Sequence, residues 1–172
     1  MARMPYSEAK SSYDPAAIAA DLHAALTEGL RLFSGVDDAL SAERPKPDDW
    51  CAREIVGHLI DSACNNHRRW ILGQTPGLSK FDGYEQDLWV SRNAYADESW
   101  ADLVALWAAY NRHLRHVIAR TPAEHLPMSA MSPDGDGPVS IGFLMQDYVG
   151  HIRHHLEQVR RLTVDEASSR QA

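Results

Sequence analysis

The run Gly150-His151-Ile152-Arg153-His154-His155-Leu156-Glu157-Gln158 puts two imidazoles, His151 and His155, one helical turn apart in an apolar setting. A third, His58, stands between Ile55 and Leu59 in an earlier apolar segment. Residues four apart on a helix differ by about 40° around its axis, so the two later rings can converge on one point. Three imidazole nitrogens with open coordination positions are how catalytic metal sites are built. Leaving several buried imidazoles without partners costs about 1–3 kcal/mol each, a cost a metal ion removes by taking a lone pair from each ring. The spacing therefore predicts a metal set of His58, His151 and His155. His154 is the alternative ligand, but its helical neighbours Asp147, Gln158 and Arg161 form a polar face. Imidazoles suit Zn, Ni, Cu or Fe rather than Mg or Ca. No carboxylate occupies an obvious ligand position. Asp61 and Asp147, each about one turn from a ligand, are candidates to orient a ring. Ordinary surface charge is an equal reading of both.

The other histidines carry less. His113 and His116 lie among Arg112, Arg115 and Arg120 and read as a solvated helix face, and His67 reads as a residue at a site mouth. No residue can be assigned a catalytic role from the pattern alone.

Four long helices must position these groups. Asp14 and Pro15 are a start signal, followed by the stripe Ile18, Leu22, Leu26, Leu30 and Phe33. A second helix runs from about Cys51 to Leu72, after the Pro-containing connection Ser41 to Trp50. A third opens at Ser99-Trp100-Ala101-Asp102, a capping-box pattern, and closes at Thr121-Pro122. A fourth starts near Ser140 and reaches about Thr163, with a seam of alternating four- and three-residue steps typical of a bundle interior. Between the second and third helices, Phe81-Asp82-Gly83-Tyr84-Glu85-Gln86-Asp87-Leu88-Trp89-Val90 has room for a short helix. The Pro/Gly-rich stretch after Pro122 reads as loop or small hairpin. The expectation is an all-α four-helix bundle in one domain, 14–163, with flexible termini at 1–13 and 164–172. Up-down-down-up and plain antiparallel topologies are both open.

Composition narrows the partners. The 172-residue chain carries a net charge of −7 with histidines neutral, which argues against nucleic acid, whose phosphates require a basic face. No apolar run approaches the roughly 20 residues of a membrane helix, and the N-terminal residues show no apolar signal-peptide core. The cysteines, Cys51 and Cys64, fall about 20 Å apart on one helix, too far for a disulfide. Free thiols point to a cytoplasmic location.

Trp50, Glu54 and His58 in W-C-A-R-E-I-V-G-H, the closing H-x-x-H-H-x-x-Q of His151, His154, His155 and Gln158, and the intervening Y-E-Q-D-L-W-V together resemble the DinB-like superfamily, including its YfiT-like branch, over about residues 14 to 163. Cys51 departs from the Ser or Thr usual after the tryptophan, which alters a helix cap and not the site. The resemblance implies a four-helix bundle, commonly a homodimer, with a divalent metal on His58, His151 and His155. Family members include thiol S-transferases, a mycothiol-dependent isomerase and metal-dependent hydrolases. The leading expectation is a transferase acting on a small-molecule substrate, with Zn or Ni activating a low-molecular-weight thiol co-substrate. A metal-dependent hydrolase is the alternative, and a non-enzymatic, metal-stabilised stress-related binding protein is the third. Arg153, His67 and Arg68 are weak candidates to sit beside such a thiol. Dimerisation is also expected from the third helix, where Trp100, Trp107 and Tyr110 stand with several leucines and some of the apolar surface exceeds what one core covers.

Overall fold

The computed structural model describes residues 12–165; positions 1–11 and 166–172, where flexible termini are expected, lie outside them. The helices begin where local chemistry allows. Asp14 accepts from the Ala16 N–H at 2.9 Å to start α1 (Pro15–Phe33), with Pro15 in the first turn. Ser99 caps α5 (Trp100–Arg120) and Ser140 caps α6 (Ile141–Arg160). In α3 (Ala52–Gly73) the cap is supplied from within. Glu54 reaches back to accept from the Cys51 N–H at 2.9 Å and pairs with Arg44 at 2.7 Å. A carboxylate at the third helical position thus does the work that Ser or Thr would share.

The short helix expected in the 81–90 segment forms as α4 (Gln86–Asn93). The Pro/Gly-rich stretch closes as a small hairpin, β1 (Ser129–Met131) with β2 (Pro138–Ser140), antiparallel and with Ala130 opposite Val139. One element was not foreseen. Helix α2 (Asp38–Ala42), capped by Asp37, interrupts the connection before α3. Arg53 fastens it, bonding Ser41 Oγ, the Asp38 carbonyl and the Ala96 carbonyl, and pairing with the Asp38 carboxylate.

The four long helices form the bundle, with α1 and α3 each packing on both α5 and α6. The first and second long helices therefore sit diagonally, as do the third and fourth, and contact across the diagonals is sparse. A plain ring in which each helix packs on the next does not form. The core joins Phe33, Trp70, Trp107 and Tyr148 to the aliphatic stripes. Trp100 and Trp107 meet the Phe33 ring edge-on at 5.3 and 5.1 Å, and Tyr148 donates from its buried hydroxyl to Asn111 Oδ1 at 2.7 Å. Trp100 and Trp107 are thus core residues of a single chain, while Leu106 on the same helix is exposed. Among the described residues, the other exposed large apolar side chains are Ile71, Leu72, Leu88 and Met131. No helix among the described residues is long and apolar enough to cross a membrane.

Candidate metal centre

His58 comes from the second turn of α3, and His151 and His155 come from α6, which packs beside it. Their ring centroids lie 4.8 Å (His58–His155), 5.1 Å (His58–His151) and 4.4 Å (His151–His155) apart. One ring nitrogen from each falls within 4.8 Å of the others. His58 is 1% exposed and His155 5%, with His151 half-buried at the edge. The three residues selected by spacing are those the fold brings together. His154 is exposed, on the flank.

The hydrogen bonding leaves lone pairs free for a ligand role. His155 Nδ1 lies 2.7 Å from Gln158 Oε1. An amide oxygen only accepts, so Nδ1 carries the proton and Nε2 keeps its lone pair. That Nε2 is buried and has no hydrogen-bond partner. The other end of Gln158 donates to His154 Nε2 at 3.2 Å. Gln158 and His154 thus set the tautomer and orientation of His155, the role that outer residues play around metal-bound histidines. Both nitrogens of His58 are buried and find no hydrogen bond among the described residues. Burial, helped by the neighbouring His155, pushes the His58 imidazole down to about 3. Burial likewise pushes His155 down to about 4, against the opposing bond from Gln158. Both rings are neutral at pH 7, the form that binds a metal. Orphaned buried nitrogens, a preset tautomer and an all-imidazole donor set fit a divalent transition ion.

Aromatic residues cover His58. Trp50, just before α3, lies 5.1 Å from its ring, and Tyr84, from the α3–α4 loop, stacks on it at 6.5 Å. The shielding role of Tyr84 was not read from the sequence, although the segment starting at Tyr84 is part of the family pattern.

Other expected neighbours go elsewhere. Asp61 does not bond the His58 ring. Its Oδ1 accepts from the Tyr95 hydroxyl at 2.7 Å and from Asn93 Nδ2 at 3.1 Å. Asp147 is exposed. Arg68 pairs with Asp82, and Arg153 lies 3.9 Å from Asp21. His67 belongs to a separate groove of about 410 Å³ between α3 and α5, shared with His113 and His116.

Known proteins agree with this architecture. YfiT from Bacillus subtilis, whose structure is described as "a probable metal-dependent hydrolase with an unusual four-helix bundle topology", superposes with a TM-score of 0.82 at 16% identity, over 93% of each chain. A variant of the mycothiol-dependent maleylpyruvate isomerase superposes with a TM-score of 0.72 at 10% identity, over 91% of this chain and 63% of the isomerase. At these identities the likeness is one of fold. No curated protein sequence matches the chain. The sequence model of the DinB superfamily matches residues 21–159. With that match spanning most of the bundle and both histidine-bearing helices, the chain belongs to the DinB superfamily.

Proposed function

We propose that the protein is a metal-dependent transferase that activates a low-molecular-weight thiol, with Zn or Ni held by His58, His151 and His155. The observation that carries this reading is the neutral donor set: three imidazoles within reach of one another and, among the described residues, no carboxylate with them. A dipositive ion held by uncharged ligands keeps its full charge to lower the pKa of a bound thiol. The residues around it then have defined tasks. Gln158 holds the His155 ring with Nε2 turned away from the amide. Trp50 and Tyr84 wall off His58 and limit water there. In a drier site the same charge acts more strongly.

The alternative is a metal-dependent hydrolase, the description given to YfiT. The observation favouring it is Asp61, a buried carboxylate one turn from His58 that burial holds up at about 6, suited to receive a proton from water. One assay separates the two. Metal-loaded protein is offered an activated aryl halide with and without a small thiol, and separately an ester. Thiol-dependent consumption that is lost in His58→Ala supports the transferase. Thiol-independent ester cleavage lost in the same variant supports the hydrolase. Inactivity in both, with metal bound, points to the non-enzymatic reading.

We also infer that residues 14–163 act as one domain and that the protein is a cytoplasmic homodimer. Free Cys51 and Cys64 fit a reducing compartment. The dimer reading rests on family resemblance and on exposed Leu88 and Leu106; a single-chain mass in light scattering at micromolar concentration would exclude it.

A further inference from the structure

Asp61 is 3% exposed on α3, one turn beyond His58, and its two oxygens are treated differently. Oδ1 takes both available donors, from Tyr95 and Asn93. Oδ2, also buried, accepts no hydrogen bond from the described residues. A carboxylate serving only as a strut would be expected to satisfy both oxygens, because an unbonded buried acceptor bears its full desolvation cost.

The local backbone is arranged around this clamp. Between the two donors, Ala94 adopts a left-handed conformation (φ 53°, ψ 39°), unfavourable for a residue with a Cβ. It reverses the chain so that Asn93 and Tyr95 both reach Asp61. Tyr95 in turn lies against α3 at Gly57, where a Cβ would sit 2.1 Å from its ring. The clamped carboxylate shares a neighbour with the three-histidine cluster. Tyr84, which stacks on His58, is held up at about 12 first by burial and next by the negative charge of Asp61. One tyrosine therefore neighbours both groups.

We propose that Asp61 Oδ2 receives a cationic or N–H-bearing group of the small molecule held at the three-histidine centre, so that the site selects amino-functionalised ligands. The inference rests on the thiol-activating reading above and narrows its ligand to an aminothiol. The spacing suits a small ligand. Side chains one helical turn apart are neighbours on one helix face, so a single small molecule can meet both the histidine cluster and Asp61. The charge suits it as well. Burial pushes the Asp61 carboxyl up to about 6, so it is mostly ionised at neutral pH, and a buried carboxylate is stabilised by an incoming cation.

The test uses the full-length zinc-loaded protein and two probes, 2-aminoethanethiol and 2-mercaptoethanol, compared by calorimetry. The aminothiol should bind at least about tenfold more tightly, the ratio expected of a charge-assisted hydrogen bond. Asp61→Asn should bring the two affinities together without weakening 2-mercaptoethanol. The Asp61 carboxyl carbon resonance, assigned through bonds in the native protein, should move with the aminothiol alone, so the answer does not depend on how the variant folds. Equal affinities in the native protein, or a preference that survives Asp61→Asn, would overturn the proposal. If neither thiol binds, the thiol reading fails and titration with 2-aminoethanol decides the rest. A moving Asp61 resonance then upholds the amine site, and a stationary one eliminates it.

Discussion

Two histidine clusters share helix α3 and differ in almost everything else. At its N-terminal half, His58 meets His151 and His155 of α6, with ring centroids 4.4 to 5.1 Å apart and His58 and His155 almost wholly buried. At its C-terminal half, His67 meets His113 of α5 at 5.3 Å, beside His116, along an open groove. There His67 Nδ1 is satisfied by the Tyr110 hydroxyl at 3.1 Å, and His113 and His116 face solvent. Water and a neighbouring hydroxyl can meet the needs of the second cluster. The nitrogens of His58 and the Nε2 of His155 have neither. A metal-binding site is marked by buried lone pairs that nothing else uses, rather than by the number of imidazoles in proximity.

The largest contrast should appear in metal content. Purified protein should carry close to one Zn or Ni per chain by elemental analysis. His58→Ala and His155→Ala should lose it, while His67→Ala and His113→Ala keep it. Stoichiometric metal in His58→Ala, or its loss from His67→Ala, would reverse the assignment of the two clusters. Next in size is the stability that metal contributes, about 4 kcal/mol at a thousandfold excess over the dissociation constant. Chelation should lower the melting temperature and leave helicity intact, because the apolar seams do not depend on the ion. Complete unfolding would instead make the metal structural. A smaller effect is expected one step outward. Gln158→Ala frees the His155 ring from its preset tautomer and should weaken metal binding about 10–100-fold, whereas His154→Ala keeps most of the affinity. Identical affinities in the native protein and Gln158→Ala would remove Gln158 from the site.

Acid should separate the clusters most gently. His58 and His155 sit at about 3 and about 4 when folded, below the ordinary value near 6.5. Between these limits the unfolded chain binds protons that the folded metal-free protein refuses, so stability falls as pH drops below about 6.5. Asp61 acts in the opposite sense. Its folded value of about 6 exceeds the ordinary one, so the folded state binds the extra proton and gains stability as pH falls through that range. Urea titrations of the metal-free protein should therefore show a steeper acid loss in Asp61→Asn and a shallower one in His155→Gln. His67→Gln should change the slope less, since burial lowers the less enclosed His67 without the near-complete enclosure of the triad. An unchanged slope in His155→Gln would mean that His155 is not held neutral by burial.

Much of this was legible beforehand, and for local reasons. Asp14, Ser99 and Ser140 announce helix starts through their own oxygens, and the step of four from His151 to His155 sets two rings on one side of any α-helix. The same locality explains what was missed. Helix α2 depends on Arg53, twelve or more residues beyond the groups it ties. Asp61 was placed correctly beside His58 along the chain, but its partners Asn93 and Tyr95 arrive from another helix and the turn after it. Trp100 and Trp107 are covered by Phe33 of α1, a contact between distant helices that the stripe of α5 alone does not reveal.

The sequence by itself determined the helical class, the start of each long helix and the three imidazoles, because capping and helical periodicity are properties of neighbouring residues. The tertiary structure decided that α1 and α3 lie diagonally, that Gln158 holds His155 and that Asp61 keeps one oxygen unbonded among the described residues. Those outcomes depend on which surfaces exclude water together, and burial is settled only when the whole chain has packed.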